Sequence, residues 1–175
     1  MKKASLDHGR RMRANIAAAA VLGILLAAGP AAAMPALTAA QLFDVCGSST
    51  IPEAAARGDR LGWQRMTDAQ LEDWRSSFVA YNGGSVQVLA WRRGEKDGDD
   101  TLSFWIARGP NGHRACSYST GSPDGFLDAL SERLGAPDTL DKHDFGTTAY
   151  WKRDAAEISF SQVGSRVSVT ISGDD

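Results

Sequence analysis

Two cysteines, Cys46 and Cys116, stand 70 residues apart in a chain of 175. Whether they are bonded decides what the chain can fold into, and the compartment decides whether they bond. The N-terminus reads MKKASLDHGRRMRANIAAAAVLGILLAAGPAAAMPALT. Lys2, Lys3, Arg10, Arg11 and Arg13 form a basic head, Ile16 to Gly29 is apolar and uncharged, and Pro30 with a run of alanines follows. Those three zones in that order are the signature of a secretory signal peptide. Ala31 and Ala33 put small residues at the minus-three and minus-one positions, so cleavage is expected after Ala33. Residues 16–33 reach only the lower limit of a span of about 20 residues, so no stable membrane span is expected after cleavage. The product is expected to be bacterial and periplasmic or secreted. There an even number of cysteines reads as a disulfide. A Cys46–Cys116 bridge closes a long loop and contributes about 4 kcal/mol in the chain-entropy model.

The bond takes Cys116 out of chemistry. A metal site would need paired Cys spacing with histidines, and that pattern is absent. A catalytic thiol would need a base. His113 is three residues away, which on a strand is the opposite face.

Removing residues 1–33 also shifts the charge. The full chain has 19 basic and 21 acidic residues, of which the leader holds five basic residues and Asp7. Residues 34–175 therefore carry 14 basic and 20 acidic residues, a net charge near −6. That opposes nucleic-acid and anionic-membrane partners, which need a basic footprint. Residues 34–175 are of a size for a single globular domain.

The expected fold is α+β, with an antiparallel sheet of about six strands in two meanders packed with about four helices. Thr38 with Gln41, and Thr67 with Gln70, have capping-box spacing at two helix starts; Thr50 and Glu53 repeat it, with Pro52 in the first turn. Leu71, Trp74 and Phe78 form an apolar stripe read as core, and Asn82-Gly83-Gly84 stops that helix. Strands are expected over 85–93, 101–108 and 114–120. A helix opening at Ser122-Pro123-Asp124 with Ser122 as cap follows, ending at Gly135. Strands over 147–153, 156–163 and 165–172 complete the chain. A helix plus three strands thus occurs twice, with halves 67–120 and 122–172. LAWRRGE echoes AYWKRDAAE, and TLSF echoes EISF. This is the pattern of a duplicated unit and equally one that hairpins share by chance.

Few residues suggest catalysis. GEKDGDD (94–100) lacks the glutamate a calcium loop needs, so it reads as a solvated hairpin turn. DKHD (141–144) reads as an exposed turn. There is no G-x-S-x-G elbow, no C-x-x-C and no phosphate-cradling glycine loop. No cofactor, metal or catalytic residue is assigned. Five tryptophans are the unusual feature. Trp63 and Trp74 are expected in the core. Trp91, Trp105 and Trp151, with Arg92, Arg93, Lys152 and Arg153, are expected on a sheet surface that binds another envelope protein, since Trp and Arg dominate binding hot spots. Inhibition of a secreted hydrolase is one special case. The competing reading is an envelope hydrolase or other enzyme with acids and His113 or His143 in a cleft.

FLDALSERLGAPD followed by TAYWKR, EISFSQV and SRVSV resembles the helix-plus-three-strand unit of small exported bacterial envelope proteins. These include the SmpA-type outer-membrane-assembly lipoprotein and the β-lactamase-inhibitor-protein-like fold. Leu134, Gly135, Pro137, Trp151, Ile158, Phe160 and Val167 carry the likeness. It implies an antiparallel meander behind a helix and no catalytic residue. This chain departs from the lipoproteins in having no lipid-attachment cysteine.

Overall fold

A computed structural model describes residues 36–94 and 99–173. They lie in the unit Ala33–Asp175. The expected leader and its cleavage point at Ala33 are outside the described residues. The architecture is α+β, in the order α1 (Ala39–Cys46), α2 (Ile51–Asp59), β1 (Gln64–Arg65), α3 (Asp68–Asn82), β2 (Ser85–Arg93), β3 (Asp100–Arg108), β4 (His113–Thr120), α4 (Phe126–Leu134), β5 (Thr139–His143), β6 (Gly146–Arg153), β7 (Ala156–Val163) and β8 (Arg166–Gly173). No helix among the described residues is long and apolar enough to cross a membrane.

The helix starts follow from their caps. Thr38 and Thr67 accept from the backbone N–H of Gln41 and Gln70, and each glutamine reaches back to the threonine N–H. At α2 the reciprocal half differs: Glu53 takes the N–H of Ser49 instead. The fourth helix is a correction. It begins at Phe126 behind Gly125, which has φ 70, and no side chain caps it. The N–H of Ser122 donates to the Thr120 hydroxyl, so Ser122 belongs to the turn before the helix.

All eight strands form one antiparallel sheet in the order β1-β2-β3-β4-β8-β7-β6-β5. There are eight strands rather than about six because both edges carry one that hydrophobic alternation does not mark. β1 is two residues set against Trp91 and Arg92. β5 is exposed along its whole length and pairs with β6, so most of DKHD is edge strand, not turn. β4 pairs with β8 and joins the two meanders.

Period-two alternation then sorts the side chains into two faces. The inner face runs unbroken across the sheet. Trp91 stands opposite Leu102, Leu102 opposite Tyr118, Tyr118 opposite Val169, and Val169 opposite Phe160. Helices α1, α2 and α4 cover it through Leu42, Val45, Ala54, Phe126 and Leu130. The outer face is covered only in part, by α3, through a small cluster of Leu71, Val88 and Ala90 with Met66 and Trp105 against it.

The expected staple is present. Cys46 at the end of α1 is bonded to Cys116 on β4. Gly58 shows how tightly α2 sits. Glycine inside a helix costs about 1 kcal/mol relative to alanine, yet a Cβ at this position would lie 2.2 Å from Cζ2 of Trp91. The indole therefore dictates the glycine.

Two outcomes are expected. Replacing both cysteines with serine should lower unfolding free energy by about 4 kcal/mol with a loop of this length, read from urea denaturation. Gly58→Ala gains helix propensity but overpacks a ring that has nowhere to move, so it should lose about 1–2 kcal/mol net. A stabilised Gly58→Ala protein would show that Trp91 does not rest on α2.

Candidate functional site

The seven residues expected to form one binding surface are divided between the two faces. Trp91 and Trp151 are 0% exposed, which corrects their expected place at a surface. Each stands opposite a core residue, Leu102 and Ile158 respectively. Each indole N–H is also engaged from the helix layer, by Asp59 Oδ1 at the end of α2 at 2.9 Å and by the Gly135 carbonyl behind α4 at 3.0 Å. Arg93 and Arg153, two residues further along their strands, share that inner parity. Arg153 donates to the carbonyls of Leu134 and Ala136 and to Asp138, clamping the connection between α4 and β5. The Lys152 N–H also donates to Asp138, at 2.7 Å. That bond, more than the Arg153 guanidinium, holds the Asp138 carboxyl below its ordinary range. Arg92 and Lys152 point to the outer face. Trp63 is buried as expected.

Arg93 ends in a polar network that the sequence reading missed. Its guanidinium bonds Oδ2 of Asp100 at 2.9 and 2.6 Å, and Asp100 is 4% exposed. Tyr118 donates to the same oxygen at 3.1 Å, and Thr120 donates to Oδ1 at 2.6 Å. Asp100 is thus turned inward, a correction to a wholly solvated turn over 94–100; residues 95–98 lie outside the described residues. Across the hairpin Arg93 is directly opposite Asp100, and that pairing was the available signal. Burial pushes the Tyr118 hydroxyl up to about 12; the Asp100 charge adds to this and Thr120 opposes it.

On the outer face, Trp105 is half-buried beneath α3. Its ring meets Trp74 edge-on at 5.5 Å and Phe78 at 6.4 Å. Trp74 is itself 37% exposed, so it roofs this cluster and does not belong to the core. The Trp105 indole N–H donates to Nε2 of His113 at 3.1 Å, and Nδ1 of His113 lies 2.9 Å from the Asn111 carbonyl. His113 is on the face away from Cys116, as its spacing requires.

Past Trp105 the outer face changes character. Register lines up Thr101, Ser119, Ser168, Ser161 and Thr148 across β3, β4, β8, β7 and β6. The adjoining row is Ser103, Ser117, Thr170, Ser159 and Tyr150. Neighbours across strands are about 4.8 Å apart. Nine aliphatic hydroxyls and one phenol thus form two straight rows without a charge. Charges bound them: Arg92 and Asp141 continue the first row at its two ends. Lys152 and Glu157, ion-paired at 3.4 Å, stand beside the second. Burial, with the Glu157 carboxylate, raises the Tyr150 hydroxyl above its ordinary value.

Two clefts open at the end of the sheet where β4 begins and β8 ends. One, of about 350 Å³, lies on the outer side and is lined by His113, Lys152, Asp154, Glu157 and Ser172. The other, of about 300 Å³, lies on the inner side, between α1 and the β6–β7 turn, and includes Phe43, Arg114 and Ile171. His113 therefore has carboxylates around it, but its two ring nitrogens are engaged by Trp105 and Asn111. His143 is exposed on the edge strand. Among the described residues neither histidine is hydrogen-bonded to a carboxylate, and no three His, Cys, Asp or Glu side chains are grouped to hold a metal. The acid/His hydrolase reading gains no catalytic geometry from this arrangement.

No family model, curated protein or solved structure matches the chain.

The network around Asp100 yields a pH prediction. An unfolded tyrosine loses its proton near pH 10, whereas Tyr118 in the fold keeps it up to about 12. Between those values the unfolded state binds fewer protons, so stability falls as pH rises. Wild type should lose about 2 kcal/mol more than Tyr118→Phe between pH 10 and pH 12. Denaturant titration at both pH values checks this, and parallel losses would place the Tyr118 hydroxyl outside the network.

Proposed function

We propose that the protein is an exported, disulfide-stapled binding protein that contacts another envelope protein through the outer face of its sheet from β3 across to β6. The observation that carries the reading is the pair of uncharged hydroxyl rows spanning β3, β4, β8, β7 and β6. A solvated sheet face ordinarily intersperses charges of both signs. Charged residues are depleted where one protein buries another, because their desolvation is costly. Short side chains also leave the surface shallow enough for a partner to lie flat on it. Lys152, Glu157 and Arg92 supply a charged rim, which suits polar contacts at an interface edge. The contact surface is thus hydroxyl-rich with a basic and acidic border, in place of the tryptophan surface expected from the sequence.

The two meanders support a duplicated unit. Trp91 opposite Leu102, and Leu102 opposite Tyr118, repeats as Trp151 opposite Ile158 and Ile158 opposite Ile171. The central pairings of Cys116 with Ile171 and Tyr118 with Val169 fit a pseudo-twofold between the halves. The resemblance of the second half to SmpA-type and β-lactamase-inhibitor-like units agrees with this reading.

Ser159→Arg combined with Thr170→Arg tests the function. The two residues are cross-strand neighbours, and arginine on a solvated strand face leaves the core untouched. The expected result is an unchanged melting temperature with loss of a partner that wild type captures, by chemical crosslinking, from envelope extract. Equal capture by both proteins would overturn the assignment of this face.

A further inference from the structure

The inner cleft at the end of the sheet holds two opposite charges that do not meet. The guanidinium of Arg114 is half-buried and the carboxylate of Asp154 stands at the lip, both lining the same cleft of about 300 Å³. Among the described residues neither side chain has a hydrogen bond or ion pair, to the other or to anything else. Two neighbouring charges on the inner side are engaged: Arg153 by carbonyls and Asp138, and Arg133 over the ring of Phe43 at 4.8 Å. Leaving a guanidinium half out of water without a partner is unfavourable. An anion brought into the cleft would remove that cost.

The fold holds the two charges in place. Arg114 lies on β4 opposite Gly173 of β8, where a Cβ would come within 3.2 Å of the Ala155 carbonyl oxygen of the β6–β7 turn. On its other flank it faces Ile106, so its stem is set among apolar groups. Asp154 occupies the β6–β7 turn with φ 50, a left-handed conformation that Asp and Asn tolerate better than other side chains. Between the charges the walls are apolar: Phe43, Ala156 and Ile171. Gly47, the C-terminal cap of α1, completes the lining on the side of Phe43. The negative pole of a helix end favours a cation nearby.

A fixed cation, a fixed anion and an apolar wall between them select a ligand with the reverse arrangement. We infer that this cleft binds a free α-amino acid with an apolar side chain, its carboxylate on Arg114, its ammonium toward Asp154 and its side chain against Phe43 and Ile171. The volume is at the small end for ligand pockets, which suits a single amino acid better than a peptide. An apolar carboxylate without an amine would leave Asp154 unpaired, and an amine without a carboxylate would leave Arg114 unpaired. The site is on the opposite side of the sheet from the hydroxyl rows and does not depend on them.

The test is titration of the 15N-labelled, disulfide-bonded protein with L-phenylalanine, 3-phenylpropionate and phenethylamine in turn. L-phenylalanine should give saturable shifts in the amides of Gly47, Ala155, Ala156 and Gly173. Each single-charge analogue should bind about tenfold more weakly, the loss expected for one charged hydrogen-bonding group. Arg114→Gln and Asp154→Asn should each lower affinity by about the same factor without changing the melting temperature. Neither side chain supports the fold, and Asn accepts the same backbone angle. Absence of saturable shifts with L-phenylalanine, or equal affinity for the three probes, would overturn the assignment. Unchanged affinity in both variants would do the same.

Discussion

The pairing of β4 with β8 is the constraint on which the rest of the molecule depends. It is the seam between two meanders that are each locally connected, and it alone makes their inner faces continuous. Cys116, Tyr118 and Thr120 on one strand meet Ile171, Val169 and Val167 on the other. All six are nearly fully buried. Cross-strand pairs of this kind are the unit of sheet stabilisation, but here the partners are separated by about 50 residues of chain, and closing such a loop costs conformational entropy. The disulfide acts at the same seam. It ties α1 to the strand that must find β8, so the N-terminal helices, the first meander and the second meander converge on Cys116.

Polar groups at the rim of this core are committed to holding it. The carboxylate of Asp100 is shared by Arg93, Tyr118 and Thr120, which links β2, β3 and β4 beyond their backbone bonds. A buried ion pair is a weak source of net stability, because desolvation offsets its attraction. Additional donors satisfy the remaining lone pairs of the carboxylate, and that tips the balance. Arg153 does the corresponding work in the second meander, with two backbone carbonyls of the α4–β5 connection as well as the Asp138 carboxylate. Two arginines that read alike in sequence, each two residues after a tryptophan, therefore fasten different things: one a hairpin, the other a helix-to-strand connection.

What was legible in the sequence was local or periodic. The capping threonines, the glycines that end α3, the six long strands and the alternation of Leu102, Phe104 and Ile106 against Trp105 all follow from short-range rules. The two-residue β1 and the polar β5 were not legible, since an edge strand with no buried face carries no alternation. The tryptophan surface failed for a different reason. Alternation shows that Trp91 and Arg92 point opposite ways, but it does not say which way is inward. That depends on where α1, α2 and α4 dock, and helix docking is a long-range outcome. Arg93 and Asp100 could be matched across their hairpin, whereas Arg114 and Asp154 come together only through the β4–β8 seam and the β6–β7 turn.

The same seam explains why one half of the outer face is covered and the other is open. Helix α3 directly precedes β2 and folds back over the first meander, burying Leu71 against Val88 and Ala90. No helix precedes β6 on that side, because α4 packs on the inner face with α1. The second meander was therefore free of the demand for apolar residues on its outer side. Ordinary solvent exposure would have filled the positions with lysine and glutamate, as at Lys152 and Glu157. Serine has no strong strand preference of its own, so neither packing nor propensity accounts for Ser159, Ser161, Ser168, Ser117 and Ser119 in register. A requirement that this face stay shallow and uncharged accounts for all five, and the proposed contact with another surface would impose it.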